Sequence, residues 1–317
     1  MGEKKRLRSG RSLKQFRTRF SAKKLTSHAG LASIYRFWHH LGAEAWSDRE
    51  LETIKAPNAV YSIGRIVTIL VMGIIRGARH ISHLQYLGKD HGLRKLWDWV
   101  RFPVETTVIR TMNLFGYAQV IRLADLTQNL RQKVWDRSWF GRVTLDFDST
   151  PKTVWGHQEG VEKGFNPEHP GKRSYHPLVA FIAETGEALL GWLRPGNTFS
   201  GNGAAEFFKE CWARLPKQVW KVVVRADAAF FSNAFLCLLE QWGCQYVINC
   251  KIKGWKRWTE EHAPWRQSGK GRWTARFEAS LHGWKRSRTF MAIRTLVDYK
   301  DDNDLFGPQP VYTYHRG

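Results

Sequence analysis

Three aspartates carry the first chemical signal in this chain. Asp146 and Asp148 stand two apart in Arg142-Val-Thr-Leu-Asp-Phe-Asp-Ser-Thr150, and Asp227 closes Lys221-Val-Val-Val-Arg-Ala-Asp227. The first run alternates apolar and polar residues and contains β-branched Val143 and Thr144, which reads as a strand with one buried face. Period two sets Asp146 and Asp148 on the same face. Neighbouring carboxylates repel one another, so a cation or a basic group has to compensate them. Two strands that each end in an acid point to a metal site at the shared edge of one sheet. The competing reading, for each acid taken alone, is a turn former or a helix cap.

The elements around these acids decide whether they meet. From Gly141 the chain reads as strand-forming, and the first strand carries Asp146 and Asp148. A loop rich in Gly, His and Lys follows over Thr153 to Ser174. Tyr175 to Ala183 and Ala188 to Arg194 read as two strands joined in a hairpin at Gly186. Ala204 to Leu215 is an amphipathic helix, and Val219 to Ala226 is the fourth strand, ending in Asp227. Ser232 caps a helix that runs to about Trp242 and stops at Gly243. Gln245 to Cys250 is the fifth strand. The order is βββαβαβ. It suits a mixed sheet in which the first and fourth strands lie adjacent and parallel, as in ribonuclease-H-like nucleases. Asp148 and Asp227 then fall side by side at the carboxyl edge, where α/β sheets place their sites.

The segment before this core, Leu31 to about Arg137, reads as helical. Ile34, Phe37, Trp38 and Leu41 have helical spacing, Ile63 to Ile75 forms a buried helix, and Leu84 to Trp99 carries another apolar stripe. Thr106 is placed to cap a further helix. Two short helices around a turn with a basic flank suit either a helix-turn-helix or plain helical packing. The domain division expected is a basic arm over 1–30, a helical DNA-binding region over 31–140, the catalytic core over 141–250 and a basic, Trp-rich β insertion over 251–317.

Charge narrows the partner. The net charge is +22 over 317 residues, an excess that calls for an anionic polymer or an acidic surface. Met1 to Lys24 hold ten Lys or Arg and one acid, Glu3, which suits non-specific phosphate contact or a solvated tail. The longest apolar run, Ile66 to Ile75, is too short to span a bilayer, and the N-terminus lacks a signal-peptide core. A cytoplasmic, nucleoid-associated protein with no membrane role is the expectation. Cys211, Cys237, Cys244 and Cys250 form no C-x-x-C pair, which argues against zinc and against a disulfide framework.

Between Lys251 and Arg288, Trp255, Trp258, Trp265, Trp273 and Trp284 interleave with cations such as Lys256 and Arg257. Aromatics among cations suit base stacking with phosphate contact. The alternative is a small twisted β unit whose tryptophans are its core. Lys172, Arg173 and Arg194, with His157 and Lys163, are further candidates for phosphate contact near the acids.

Five segments in order, Leu145-Asp-Phe-Asp-Ser-Thr150, Gly156-His-Gln-Glu-Gly160, Tyr175-His-Pro-Leu178, Leu193-Arg-Pro-Gly-Asn197 and Arg225-Ala-Asp-Ala-Ala-Phe230, resemble bacterial insertion-sequence transposases with a DDE domain of group 1, the thirteen-eighty type. The resemblance implies a ribonuclease-H-like fold behind a helical DNA-binding region, and a homodimer acting on terminal inverted repeats and target DNA. It also implies Mg²⁺ or Mn²⁺ in a two-metal site, cleaving and joining phosphodiesters. The acids carried over are Asp148, before Ser-Thr, and Asp227, with Asp146 as the alternate for the first position. The family's third acid, a helical Glu, has no matching position in this sequence. Asp301, Asp302 and Asp304 fall too early for it.

Two divalent ions roughly 4 Å apart can activate the attacking oxygen and stabilise the leaving one. They bring four positive charges, of which two aspartates offset half. The missing third acid implies, through the resemblance, a C-terminally truncated form, and the uncompensated charge leads to the expectation that it binds DNA but does not transpose by itself. The competing classes are a DNA-binding remnant that represses the complete enzyme, and a nuclease of the same fold.

Overall fold

A computed structural model describes residues 26–51, 59–138, 141–250, 252–300 and 309–315. It falls into two compact units, Met1–Arg137 and Ser138–Gly317. The basic arm lies, up to residue 25, outside the described residues.

The first unit is helical: α1 (Gly30–His40), α2 (Ala43–Leu51), α3 (Ile63–Arg76), a 3-10 turn (Ile81–Leu84), α4 (Gln85–Lys89), α5 (His91–Leu96), α6 (Glu105–Met112) and α7 (Tyr117–Trp135). α3 begins where the Ser62 side chain accepts the Arg65 N–H at 3.1 Å and ends at Gly77 in the left-handed region. It buries Ile66, Ile69 and Met72 against Leu84, Leu87, Leu93, Trp97 and Trp99. Polar groups pin it to α2, with Arg65 on Glu44 at 2.8 Å and Asp48 accepting the Gly64 N–H at 2.6 Å.

Several expectations for this unit need correction. Ile34 and Phe37 face outward, while Leu31, Tyr35 and Trp38 turn to the core. The single apolar stripe expected from Leu84 to Trp99 breaks at Asp90, whose carboxylate caps α5 by accepting the Leu93 N–H at 3.0 Å. α6 starts at Glu105, with Val104 rather than Thr106 at the cap position. α7, which follows after 113–116, is 19 residues long and no short partner to α6.

The second unit is mixed α/β. Its strands are β1 (Arg142–Ser149), β2 (Lys152–Thr153), β3 (Glu162–Lys163), β4 (Arg173–Tyr175), β5 (Leu178–Ile182), β6 (Glu187–Trp192), β7 (Lys221–Ala226), β8 (Gln245–Ile248), β9 (Arg266–Gly269), β10 (Arg272–Ala279), β11 (Arg288–Lys300) and β12 (Gln309–His315). Its helices are α8 (Ala204–Ala213), α9 (Asn233–Gln241) and α10 (Trp255–His262).

The central sheet has the order β6-β5-β1-β7-β8. β1 runs antiparallel to β5 and parallel to β7, and β7 runs parallel to β8. The first and fourth core strands are thus neighbours in the parallel sense. Val143, Leu145 and Phe147 form the buried face of β1. Phe147 meets Phe207 of α8 edge-on at 5.2 Å and stacks with Phe235 of α9 at 6.2 Å. The opposite face carries Thr144, Asp146 and Asp148.

The expected strand Tyr175 to Ala183 is shorter than its apolar run. Tyr175 belongs instead to β4, the middle of a separate three-stranded sheet β2-β4-β3. The third sheet has the order β12-β11-β10-β9 and is preceded by the helix α10. It is tied to α9 by buried Arg288, which donates to Glu240 at 2.6 Å and 3.2 Å and to Asn233 at 2.9 Å. The four cysteines are free, and burial pushes the thiol of Cys244 up to about 11.

Candidate active site

The parallel ladder brings the predicted acids together. Asp146 lies opposite Arg225 and Phe147 opposite Ala226, so the next rung sets Asp148 beside Asp227. Adjacent strands run about 4.8 Å apart, close enough for the two carboxylates to share one cation. Hydrophobic burial upstream fixes this register. Sliding β1 by one residue would turn Leu145 and Phe147 out of the core.

The three carboxylates have different surroundings. Asp146 is held by Arg225 in a two-pronged ion pair, with Nε to Oδ1 and Nη2 to Oδ2 both at 2.5 Å. That hydrogen bond, reinforced by the aspartate's charge, raises the Arg225 pKa. Asp148 is exposed. Its Oδ1 accepts the Ser149 N–H at 2.7 Å and its Oδ2 the Thr150 hydroxyl at 3.3 Å. Asp227 is also exposed and caps a 3-10 turn, Ala228–Phe230, by accepting the Ala229 N–H at 2.9 Å. The cap reading of Asp227 is therefore physically present, and it orients the carboxylate without consuming it. A carboxylate offers about four lone-pair positions, and these local bonds leave some on each acid.

An all-oxygen donor pair that retains lone pairs and solvent access fits a hard divalent ion such as Mg²⁺ or Mn²⁺. Among the described residues, no group of three or more His, Cys, Asp or Glu is gathered to hold a metal. The donors present are two, Asp148 and Asp227. Asp146, the alternate for the first position, already has its guanidinium partner.

Arg194 is the clearest correction. Expected at a phosphate, it is instead only 7% exposed. Its Nε donates to the His176 carbonyl at 3.0 Å, and its Nη1 to the carbonyls of Ser200 at 3.1 Å and Asn202 at 2.7 Å. Its Nη2 reaches the Ser149 hydroxyl at 3.0 Å. Burial pushes its pKa down. It thus ties the 195–203 loop to the residue after Asp148. Buried His176 completes the network, with Nδ1 at 2.7 Å from the Thr198 carbonyl and Nε2 at 3.2 Å from the Ser200 hydroxyl. Sequence reasoning missed His176 and Ser149 as supports, although both lie inside quoted motifs.

The remaining candidates scatter. Lys172 and Arg173 are exposed on and before β4. Lys172 sits 5.3 Å from the Trp155 ring and Arg173 3.5 Å from His157. Lys256 and Arg257 lie on α10, exposed, with Arg257 paired to Glu261 at 3.0 Å. Trp255 is engaged by protein aromatics, 4.6 Å from Phe290 and 5.5 Å from Phe277. Trp265 and Trp273 lie under Arg294 at 4.4 Å and 5.7 Å. These contacts correct the expectation that Trp255 stacks on bases: its ring packs the insertion. Trp258 keeps 39% of its surface exposed while stacking on His262.

The family model described as Transposase DDE domain group 1 matches residues 9–292. No curated protein matches the sequence. Among solved structures, the chain is similar to the piggyBac transposase in its synaptic complex with hairpin DNA, at 14% identity and a TM-score of 0.39 over 88% of this chain and 63% of that one. It is similar to the Mos1 strand transfer complex at 12% identity and a TM-score of 0.24, over 63% of this chain and 61% of that one. For the Drosophila P element transposase strand transfer complex the values are 10% identity and 0.32, over 68% and 47%. The chain thus spans less than two thirds of the length of each of these three.

Proposed function

This chain belongs to the Transposase DDE domain group 1 family, and we propose that it serves DNA transposition by cleaving and rejoining phosphodiesters at the ends of a bacterial insertion sequence of the thirteen-eighty type. The observation that carries the reading is the parallel register of β1 and β7, whose last pair, Phe147 opposite Ala226, is followed on the two chains by Asp148 and Asp227. The sheet order and the mix of parallel and antiparallel pairs support a ribonuclease-H-like core.

In this reading Asp148 and Asp227 hold the divalent ion, Mg²⁺ or Mn²⁺, which when bound supplies Lewis-acid stabilisation of charge on the phosphate oxygens. The backbone N–H groups of Ser149 and Ala229 orient the two carboxylates before substrate arrives. Arg225 neutralises Asp146 and so limits repulsion within the cluster of acids. Exposed Lys172, Arg173, Lys256 and Arg257 contact DNA phosphates, and the protein acts as a homodimer on paired ends. The third acid of the complete site is not assigned to any described residue.

The test is metal-dependent nicking of DNA that contains element ends, with Mn²⁺ binding followed in parallel. Loss of Mn²⁺ binding, and of any nicking that the parent chain shows, is expected in folded Asp148→Asn and Asp227→Asn variants. Unchanged Mn²⁺ affinity in either variant rejects the reading.

A further inference from the structure

The loops beside the two acids present three large, exposed aromatic rings, of which Trp155 meets the His169 ring edge-on at 5.7 Å. Trp155 is 69% exposed, Phe165 77% and Phe199 61%. Such rings cost solvation on a surface, and each lies on a segment the structure holds firmly.

Close packing links those segments to one another and to the acids. The small sheet β2-β4-β3 leans on the 195–197 turn through a Tyr175–Pro195 bridge. A methyl on Gly164 would collide with the Gly196 backbone, and one on Gly196 with the carbonyls of Glu162 and Ser174. The turn preceding Phe165 is thus packed on the turn preceding Phe199. A methyl on Gly201 would collide with the Ala229 carbonyl and lie 3.4 Å from the Phe199 ring. Ala229 is the residue whose N–H binds Asp227, and Arg194 fixes the same loop to Ser149, next to Asp148. Phe199 therefore stands on a loop fastened to both strand ends. Trp155 already carries a cation, Lys172 at 5.3 Å, and Arg173 is its neighbour.

The geometry points to this aromatic surface as the seat of an unpaired DNA strand leading to Asp148 and Asp227. Aromatic faces stack on bases of any sequence, and flanking cations track the backbone. Paired bases inside a duplex offer no face to such rings, so the surface selects locally melted DNA. This deepens the transposase reading and rests on it for the identity of the site, but the binding is separable from cleavage.

The experiment uses the full chain and a fluorescein-labelled single strand, a forked duplex and a blunt duplex of the same sequence, with affinity read by anisotropy at fixed salt. Trp155→Ala, Phe165→Ala and Phe199→Ala remove exposed rings. Each is expected to weaken single-strand and forked binding roughly 5- to 150-fold, with blunt-duplex affinity changed less than about twofold, a small fraction of one stacked base. Trp155→Phe, which keeps a ring, restores most of the affinity. Equal weakening on the blunt duplex, or no weakening on any DNA, overturns the proposal. So does an intact DNA affinity with lost self-association in sedimentation, which assigns the rings to a protein contact. Asp227→Asn retains the strand preference. If it also retains Mn²⁺ binding, the catalytic reading fails while the strand surface stands.

Discussion

Arg225 grips Asp146 with two hydrogen bonds of 2.5 Å across the β1–β7 ladder, two residues before Asp148 and Asp227 on their respective chains. The two carboxylates of β1 share a face and differ in partner. One meets a fixed guanidinium. Among the described residues, the other meets only the Thr150 hydroxyl and the Ser149 N–H.

That difference predicts an order of effects. Asp148→Asn and Asp227→Asn should each abolish Mn²⁺ binding at the sheet edge, as read by electron paramagnetic resonance of the bound ion. Asp146→Asn should leave binding within about threefold, because a residue already paired bidentately contributes little as a ligand. A larger loss in Asp146→Asn than in Asp148→Asn reverses the assignment.

Arg194 should behave as a structural residue. Arg194→Met keeps the stem but abandons the acceptors of His176, Ser200, Asn202 and Ser149. The buried His176 carbonyl left unpaired costs about 1–3 kcal/mol, and the part-buried acceptors can turn to water, so a loss of about 2 kcal/mol is expected in urea unfolding. The salt slope of DNA affinity should not move, since a buried guanidinium releases no counterions from DNA. A flattened slope with unchanged stability restores the phosphate role.

Acid should loosen the join between α9 and β11. The Arg288 hydrogen bonds, against partial burial and with help from the Tyr246 hydroxyl, hold the Glu240 carboxyl below the ordinary range. A depressed folded pKa gives stability that is complete above the unfolded value, about 4.3, and lost as pH falls through the folded one. The Glu240 share of stability should thus be constant near neutrality and fade below about pH 4.3. Glu240→Gln should destabilise at pH 7 by roughly 3 kcal/mol, because Arg288 stays buried without its counter-ion. It should also remove this part of the acid dependence. Parallel acid curves for variant and parent in urea titrations would contradict the assignment.

Deleting residues 1–24, with their ten cations, should flatten the plot of log affinity against log salt for duplex DNA. Each phosphate that the arm no longer neutralises lowers the slope by about 0.9. An unchanged slope would show that the arm does not touch the DNA backbone.

Much of the core was legible because burial writes itself into alternation. Val143, Leu145 and Phe147 alternate with Thr144, Asp146 and Asp148, and the fourth strand ends in its own acid. What alternation does not encode is the partner of each polar residue. Alternation does not distinguish Asp146 from Asp148; the resemblance favours the acid before Ser-Thr, and the ladder that sets Arg225 opposite Asp146 supplies a physical difference. Arg194 resembles a surface cation because four acceptors from three separate segments converge on it only after folding. The α10 signal is present in the sequence but easily overlooked: Trp255, Trp258, Thr259 and His262 follow a 0, 3, 4, 7 spacing, obscured by the surrounding aromatic and basic bias. In the helical unit, Ile34 and Phe37 mislead because apolar residues at helical spacing define a face without saying which way it turns.

The β1–β7 ladder also dictates when the two acids can meet. Asp146 and Arg225 are 79 residues apart, so the rung beyond them closes a long loop, at an entropy cost of about 4 kcal/mol for that length. No local segment can display the paired carboxylates. During synthesis, β1 leaves the ribosome with Asp148 long before β7 arrives with Asp227, and neither is a metal site alone. The pairing of the two acids is thus withheld from nascent and misfolded chains by topology, and arrives only with the assembly of β1 against β7.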